Sequence, residues 1–227
     1  MLKKYKTILL IFFITFPSLS FAHVEHYKNL NKIEFDIYRN NKNIGYHVFS
    51  FKKNDGFLEV KSEIKFEIKK LGVVLYDYKV TGTEVYKDGN LIKFNSKTNQ
   101  NGKSKYVNIK LEKNEQLIDG SSFKGNVPTD YLIGTWWNHS LIEAPAQISA
   151  VSGRIIKQKA TLIGKETIKI DGKNYKTLHF NFSSTDKNLD KGKKLNTDVW
   201  YEEESLSWVK ATFNKKGKWE YRLINIE

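Results

Sequence analysis

The sequence predicts an all-β protein in which one large antiparallel sheet curves into a half-barrel or a barrel. Two observations lead to this prediction. Apolar and polar residues alternate along several segments, and Asn, Asp and Gly separate those segments at short intervals. Alternation gives a strand one buried and one solvated face, as is typical of antiparallel sheets. Because strands twist, a sheet with many strands has to curl.

The alternation is clearest between Leu58 and Ile68, where mostly apolar residues alternate with Glu and Lys. This spacing predicts a long strand with one dry face and one wet face. Four shorter segments show the same pattern and predict further strands: residues 33–37, 107–111, 178–182 and 209–213.

Turn signals separate the predicted strands. Asn, Asp and Gly tolerate the positive φ angles that tight β-hairpins require. Their short spacing predicts that hairpins join consecutive strands into an antiparallel meander. The turn signals lie at residues 40–45, 54–56, 88–90, 101–103, 171–173 and 215–217.

One segment departs from the alternation. Pro128, Thr129 and Asp130 form a helix-entry signal, since proline and a capping side chain often begin a helix. The apolar residues at positions 132, 133, 136 and 137 that follow fit one helical face. We therefore predict a short helical insert near residues 129–139, packed against the concave side of the sheet.

The N-terminus has the pattern of a signal peptide. Lysines at positions 3, 4 and 6 precede the apolar run 7–16, and Ser20 and Ala22 are the small residues of a cleavage site. We predict export to the periplasm of a Gram-negative bacterium, or to the outside of the cell, with cleavage after Ala22. An uncleaved N-terminal anchor is the alternative. The run is too short to span a bilayer, so we expect no transmembrane span in the mature chain. Residues 23–227 are expected to form a single β domain.

The composition excludes several classes of site and partner. The 227 residues contain no cysteine, which rules out disulfides and thiolate metal sites. The formal net charge is +13, but lysine supplies nearly all of it and is spread along the chain. A nucleic-acid-binding protein would favour clustered arginines, so we expect no nucleic-acid partner. An anionic membrane surface stays a candidate partner.

Aromatic residues are the candidate ligand-binding residues. Trp136 and Trp137 are adjacent, so they cannot both point into one interior from a helix. Tyr76 and Tyr78 share one strand face, and Trp200 points opposite to its two neighbours in the strand. An apolar sheet face with aromatic residues at its opening can hold an acyl or aryl ligand. The alternative is that these side chains fill the core.

No motif identifies a catalytic residue, a metal site or a cofactor site. The strongest metal candidate is His23, which after cleavage would offer both an α-amine and an imidazole to copper, with His26 close by. The alternative is a frayed, solvated terminus. No paired-histidine helical motif supports a metal site, so we assign no metal ligand and expect no cofactor.

Several short motifs together resemble an uncharacterised bacterial secreted family, domain of unknown function 6134. Their order and spacing carry the resemblance from about residue 33 to the C-terminus. The resemblance implies a curved antiparallel sheet around an apolar hollow, similar to lipoprotein-carrier-like half-barrels, and it supplies no catalytic residues. The matching motifs lie at residues 43–47, 76–78, 84–91, 101–102, 136–138 and 199–201.

Three functions are compatible with these observations. The first is non-enzymatic binding of a hydrophobic or amphipathic, lipid-like molecule in the cell envelope, which the one-sided sheet and its aromatic residues favour. The second is a secreted metal-dependent or hydrolytic enzyme that uses His23. The third is a structural module whose sheet edge pairs with a partner protein.

Overall fold

The computed structural model describes Tyr27 and residues 29–227. The predicted signal peptide, its cleavage site, His23 and His26 lie outside the described residues. The described chain folds into one sheet of 15 strands. The strands are β1 (Lys32–Arg39), β2 (Lys42–Asn54), β3 (Phe57–Lys70), β4 (Val73–Lys87), β5 (Asn90–Gln100), β6 (Lys103–Glu112), β7 (Glu115–Gly120), β8 (Lys124–Pro128), β9 (Leu132–Ile133), β10 (Ala146–Ile148), β11 (Ile155–Ile170), β12 (Lys173–Ser184), β13 (Asn196–Glu202), β14 (Trp208–Asn214) and β15 (Lys218–Ile226).

The strand order confirms the predicted meander. It runs β8-β7-β6-β5-β4-β3-β2-β1-β15-β14-β13-β12-β11-β10-β9, so that the first and last strands meet in the middle of the sheet. The pairing of β1 with β15, from Ile33 opposite Ile226 to Arg39 opposite Trp219, joins the two halves of the meander. All strand pairs are antiparallel except β9 with β10. The sheet does not close, since β8 and β9 form its two edges. The predicted fold class, a curved antiparallel sheet, is therefore confirmed.

The hairpins of this meander alternate between two ends of the sheet. At one end lie the turns at residues 40–41, 71–72, 101–102 and 215–217 and the loop 185–195. The opposite end collects the turns at residues 55–56, 88–89, 113–114, 171–172 and 203–207.

The two ends differ in charge. We call the first the lysine end and the second the acidic end. Asp186 and Asp190 are the acidic residues of the loop at the lysine end, which is otherwise dominated by lysine. Acidic residues at or beside the turns of the acidic end include Asp55, Asp88, Glu115, Asp171, Glu203 and Glu204, and Lys113 lies in one of these turns. Those at or beside the lysine end include Lys69, Lys70, Lys103, Lys193, Lys194, Lys215 and Lys216.

Residues 129–153, which we call the inner segment, pack against the inner face of the sheet. Ser96 Oγ donates to the carbonyl oxygen of Ala150 at 2.6 Å, and the Ser122 amide donates to the Ser152 carbonyl at 2.8 Å. Some backbone carbonyls of the inner segment therefore accept hydrogen bonds from the sheet and its turns, as buried polar groups require. These bonds hold the segment inside part of the space that the sheet encloses.

The predicted helical insert is confirmed only as one turn, and it begins later than expected. A 3-10 turn spans His139–Ile142, capped by the side chain of Asn138. Before it, Leu132–Ile133 pairs with β10 as a short strand, and Trp136 has a φ of +53°. The apolar spacing of residues 132–137 resembles a helix, but residues 132–134 bond to β10, and the Thr135 and Trp137 amides donate to carbonyls only two residues back, which is not a helical pattern. No helix of the described residues combines the length and apolarity that crossing a membrane would require.

Candidate ligand-binding groove

A groove of about 850 Å³ opens at the lysine end of the sheet, between the start of β13 and the β14–β15 turn. Its size falls within the usual range for small-molecule sites. Its apolar lining is Trp136, Ile156, Leu195 and Phe213. Its cationic lining is Arg154, Lys193, Lys194, Lys215, Lys216 and Lys218.

The apolar floor follows from the alternation of β14 and β15. Phe213 and Trp219 are opposite each other across these strands, and their rings stack with centroids 5.7 Å apart. Trp136 continues this surface from the inner segment, with its ring 5.9 Å from that of Tyr221 and 5.3 Å from that of Trp208. Two strands and the inner segment thus build one aromatic surface.

Trp136 lies in an unusual backbone conformation at this surface. Its φ is positive, and its carbonyl oxygen accepts a hydrogen bond from the Tyr201 hydroxyl at 3.1 Å. Its indole Nε1 is buried and has no hydrogen-bond partner among the described residues. A buried donor without a partner is costly, and because this atom is enclosed, the indole would have to shift before a ligand acceptor could reach it.

The rim of the groove is strongly cationic. Asp190 pairs with Lys193 at 2.7 Å, and this contact lowers the pKa of the Asp190 carboxyl. Arg154 Nη1 donates to the Lys193 carbonyl at 3.1 Å. Within the described part of the chain, no carboxylate pairs with the remaining rim lysines, Lys194, Lys215, Lys216 and Lys218. The lining also contains the carboxylate of Asp198, which accepts a hydrogen bond from Asn181 at 2.9 Å. Because the cationic side chains outnumber this carboxylate, the rim favours an anionic group.

Tyr76 and Tyr78, two of the predicted ligand-binding residues, continue the same aromatic surface away from the groove. The Tyr78 ring stacks on Phe66 at 4.6 Å, and Phe66 meets Trp219 at 5.1 Å. Tyr76 Oη accepts from the Gln100 amide at 2.8 Å. Burial raises the pKa of Tyr78 well above its ordinary value. The structure thus connects Tyr76, Tyr78 and Trp136 through one row of rings.

Trp137 lies in the core and does not line the groove. It is 2% exposed, and its Nε1 donates to Glu84 Oε1 at 3.0 Å. Glu84 also accepts hydrogen bonds from Thr135, at 3.1 Å, and from the Tyr86 hydroxyl. Burial raises the pKa of the Glu84 carboxyl, and the three hydrogen bonds oppose this shift. This buried carboxyl therefore anchors the inner segment to β4.

Trp200 lies on the opposite face of β13 from Val199 and Tyr201, as predicted from the alternation. Its ring stacks on His179 with centroids 4.1 Å apart, and its Nε1 donates to Glu166 at 2.7 Å. These contacts hold Trp200 in a polar cluster on the outer face of the sheet. The structure does not bring it to the groove.

The described residues contain no group of three or more His, Asp or Glu side chains that could hold a metal ion. His47 lies in the core among Phe35, Phe49, Trp208 and Tyr221. Burial lowers the pKa of His47 to about 3, so its ring is neutral at physiological pH.

Sequence reasoning missed the cationic rim and Phe213 and Trp219 as parts of one site. Residues 215–217 carry a turn signal and 209–213 a strand pattern, so each piece was recognisable alone. Their meeting with Arg154, Lys193 and Lys194 depends on which hairpins share an end. Glu84 was missed because no local pattern marks a buried carboxylate.

The comparisons with known proteins agree with this architecture. A β-barrel-like protein of domain of unknown function DUF1849 from Brucella abortus superposes with a TM-score of 0.60 at 13% sequence identity, covering 87% of this chain and 97% of that one. At this identity the likeness concerns the fold alone. No curated protein matches the chain. The model of the domain of unknown function DUF6134 matches residues 35–224, which confirms the resemblance described from the motifs. The chain therefore belongs to the DUF6134 family.

Proposed function

We propose that this protein is a non-enzymatic binding protein for an anionic amphipathic, lipid-like molecule in the cell envelope. The observation that carries the proposal is the groove at the lysine end, where an aromatic floor lies beside lysines without carboxylate partners. Such a site suits a ligand with an apolar part and an acidic head group. The predicted signal peptide supports a periplasmic location.

The apolar part of the ligand would lie on Trp136 and Phe213. Removing about 200 Å² of its apolar surface from water would contribute about 5 kcal/mol. The head group would meet the rim lysines, where charge-assisted hydrogen bonds are stronger than neutral ones.

The inner segment limits where this ligand would lie. It occupies the middle of the enclosed space, with Trp137 and Leu141 fully packed there. The family resemblance implies an apolar hollow, but the described chain fills the centre of that hollow with its own residues. The binding site is therefore proposed for the lysine end and not for the centre of the sheet.

A direct test is titration with a dansyl-labelled fatty acid, followed by fluorescence. Lys215→Gln with Lys216→Gln is expected to weaken binding roughly tenfold, because two rim charges are lost. The matched control is Lys113→Gln, a lysine in a turn at the acidic end. The Trp136→Phe variant keeps a ring and removes the N–H, and we expect a smaller loss.

The proposal fails if the rim variant and the Lys113 control bind the probe equally, or if the unaltered protein does not bind it. Mass spectrometry of protein purified from its native host provides a second test. An amphipathic molecule that copurifies with the unaltered protein and is depleted in the rim variant would support the proposal. Fractionation of the native cells tests the periplasmic location.

A further inference from the structure

The hairpin formed by β3 and β4 extends beyond both neighbouring strands at the lysine end. Pairing of β2 with β3 ends at Gly45 opposite Phe66, and pairing of β4 with β5 begins at Tyr78 opposite Gln100. Residues 67–76 therefore form a two-stranded ribbon to which no third strand of the described residues is paired. We call these residues the overhanging hairpin.

The tip of the overhanging hairpin is aliphatic and exposed. Leu71 is 95% exposed, Val73 61% and Leu75 55%, and Val74 is exposed as well. Four large aliphatic residues within five positions therefore lie in water at one projecting turn. Single exposed apolar residues are ordinary, but four exposed aliphatic residues at one projecting turn indicate an interaction site.

The backbone conformation at Leu71 indicates that the stability of the fold does not favour leucine at this position. Leu71 and Gly72 form the turn with φ angles of +51° and +80°. At the four other two-residue turns whose second residue is glycine, the same position holds Asp or Asn, which tolerate positive φ better than leucine, and the two turns without glycine begin with Asn40 and Lys113. Leucine here gains little burial and adopts an unfavourable conformation, so its side chain does not stabilise the isolated fold. The corresponding residues are Asp55, Asp88, Asn101 and Asp171.

Lysines surround the aliphatic tip. Lys69 and Lys70 precede Leu71 directly, and the Lys69 ammonium contacts Glu67 at 2.8 Å. The same end of the sheet carries Lys42 and the lysine rim of the groove. An aliphatic tip flanked by lysines is complementary to an anionic bilayer, in which acidic head groups cover an apolar interior.

We infer that the overhanging hairpin docks this protein on an anionic lipid surface, with the tip aliphatics among the acyl chains and the lysines at the head groups. This goes beyond the proposed function because it assigns a separate surface and does not require a ligand in the groove. It also orients the molecule, since the groove opens at the same end. A second copy is a poorer occupant, because its acidic end would set carboxylates against the aliphatic tip.

The absence of cysteine allows a site-specific test. Leu71→Cys, labelled with an environment-sensitive nitrobenzoxadiazole dye, is mixed with vesicles of phosphatidylglycerol and phosphatidylcholine in equal parts. We expect a blue shift and stronger emission, because the dye enters the apolar layer. The labelled control is Ile163→Cys, which is 58% exposed on β11, away from the lysine end. It is expected to show no shift.

A second variant separates docking from folding. Leu71→Asn combined with Val73→Thr, Val74→Thr and Leu75→Thr keeps turn and strand preferences while removing the aliphatic surface. In vesicle co-sedimentation we expect about tenfold weaker binding than for the unaltered protein. The matched control, Leu162→Thr with Ile163→Thr, removes two exposed aliphatic residues elsewhere and is expected to bind normally. All variants have the same N-terminus, whether or not cleavage occurs after Ala22, so the differences between them report the tip.

Three results would overturn the inference. The first is an equal response at positions 71 and 163, and the second is unchanged sedimentation of the tip variant. The third is a dye shift at position 71 that needs no vesicles and grows with protein concentration, which would identify a second copy as the occupant. The dansyl fatty acid titration of the tip variant distinguishes the two proposals. If this variant no longer binds vesicles but still binds the fatty acid, the substitutions affect docking and not the groove.

Discussion

Trp136 and Trp137 are neighbours in the chain and belong to two different regions of the molecule. Trp137 lies in the packed centre, bound to Glu84 and surrounded by the rings of Tyr27, Phe51 and Tyr86. Trp136 lies at the lysine end, half-buried, with an unused N–H. Glu84 and its three donors satisfy one another in the centre, although both His47 ring nitrogens and the Trp208 indole N–H have no hydrogen-bond partner there among the described residues. What distinguishes the lysine end is its group of lysines without carboxylate partners. The inner segment therefore stabilises the fold at Trp137 and, at Trp136, contributes to the groove that we propose as the binding site.

Trp137→Ala is expected to have the largest effect on the free energy of unfolding, and it tests the contrast between the two tryptophans directly. Truncating a fully buried tryptophan leaves a cavity and removes one of the two donors to Glu84 Oε1, and should cost about 3–5 kcal/mol of the free energy of unfolding. Trp136→Ala should cost clearly less, because Trp136 is only half-buried. Urea denaturation of both variants measures the two costs. Equal costs would break the distinction between centre and lysine end.

The second effect concerns the pH dependence of the centre. The pKa of His47 is about 3 in the folded chain because of burial, against about 6.5 in an unfolded chain. The unfolded state therefore binds more protons between these values, so stability is full above pH 6.5 and falls as pH falls. At pH 5 the loss is about 2 kcal/mol. His47→Leu should remove this slope in urea denaturation series from pH 7 to pH 4, and a slope that persists would contradict the assignment.

The third effect concerns Glu84, whose raised pKa acts in the opposite direction. A carboxyl with a raised folded-state pKa contributes stability that is present below its unfolded pKa and is lost as pH rises through its folded pKa. Glu84→Gln keeps an acceptor for Trp137 and Thr135 and cannot ionise. At low pH we expect the variant to differ from the unaltered protein by no more than about 1 kcal/mol. As pH rises, the variant should gain relative stability, and the same denaturation series would show whether it does.

The smallest effect is expected at the tip of the lysine end. Leu71 has an unfavourable φ of +51° and is almost fully exposed. Leu71→Asn alone would replace it with a residue that tolerates this φ and would lose little buried surface. We expect the free energy of unfolding to rise by about 0.5–1 kcal/mol, as for other substitutions that suit a positive φ. A rise would show that folding does not require leucine at this turn. A loss of stability would instead mean that Leu71 supports the fold, and the comparison with the packed centre would need revision.

Much of the fold could be predicted from local pattern. The alternation at 33–37, 58–68, 107–111, 178–182 and 209–213 identifies parts of five strands, and the Asn, Asp and Gly signals identify most of the hairpins. The candidate site was predicted less well. Of the five aromatic residues chosen, Trp136 lines the groove and Tyr76 and Tyr78 extend its aromatic surface, but Trp137 lies in the core and Trp200 on the outer face. If every strand had been recognised, the turns could have been assigned alternately to the two ends of the sheet. That assignment would have predicted that the lysine-rich turns share one end.

The sequence by itself determined the strands, the hairpin turns and the one-sided character of the sheet, because side-chain alternation and positive φ are properties of a few neighbouring residues. Only the tertiary structure decided that the inner segment returns into the sheet and that Trp136 and Trp137 separate. It also decided that Arg154, Lys193 and Lys215 surround one groove. These features depend on contacts between residues far apart in the chain, and the free energy of such contacts is set by burial and charge in three dimensions.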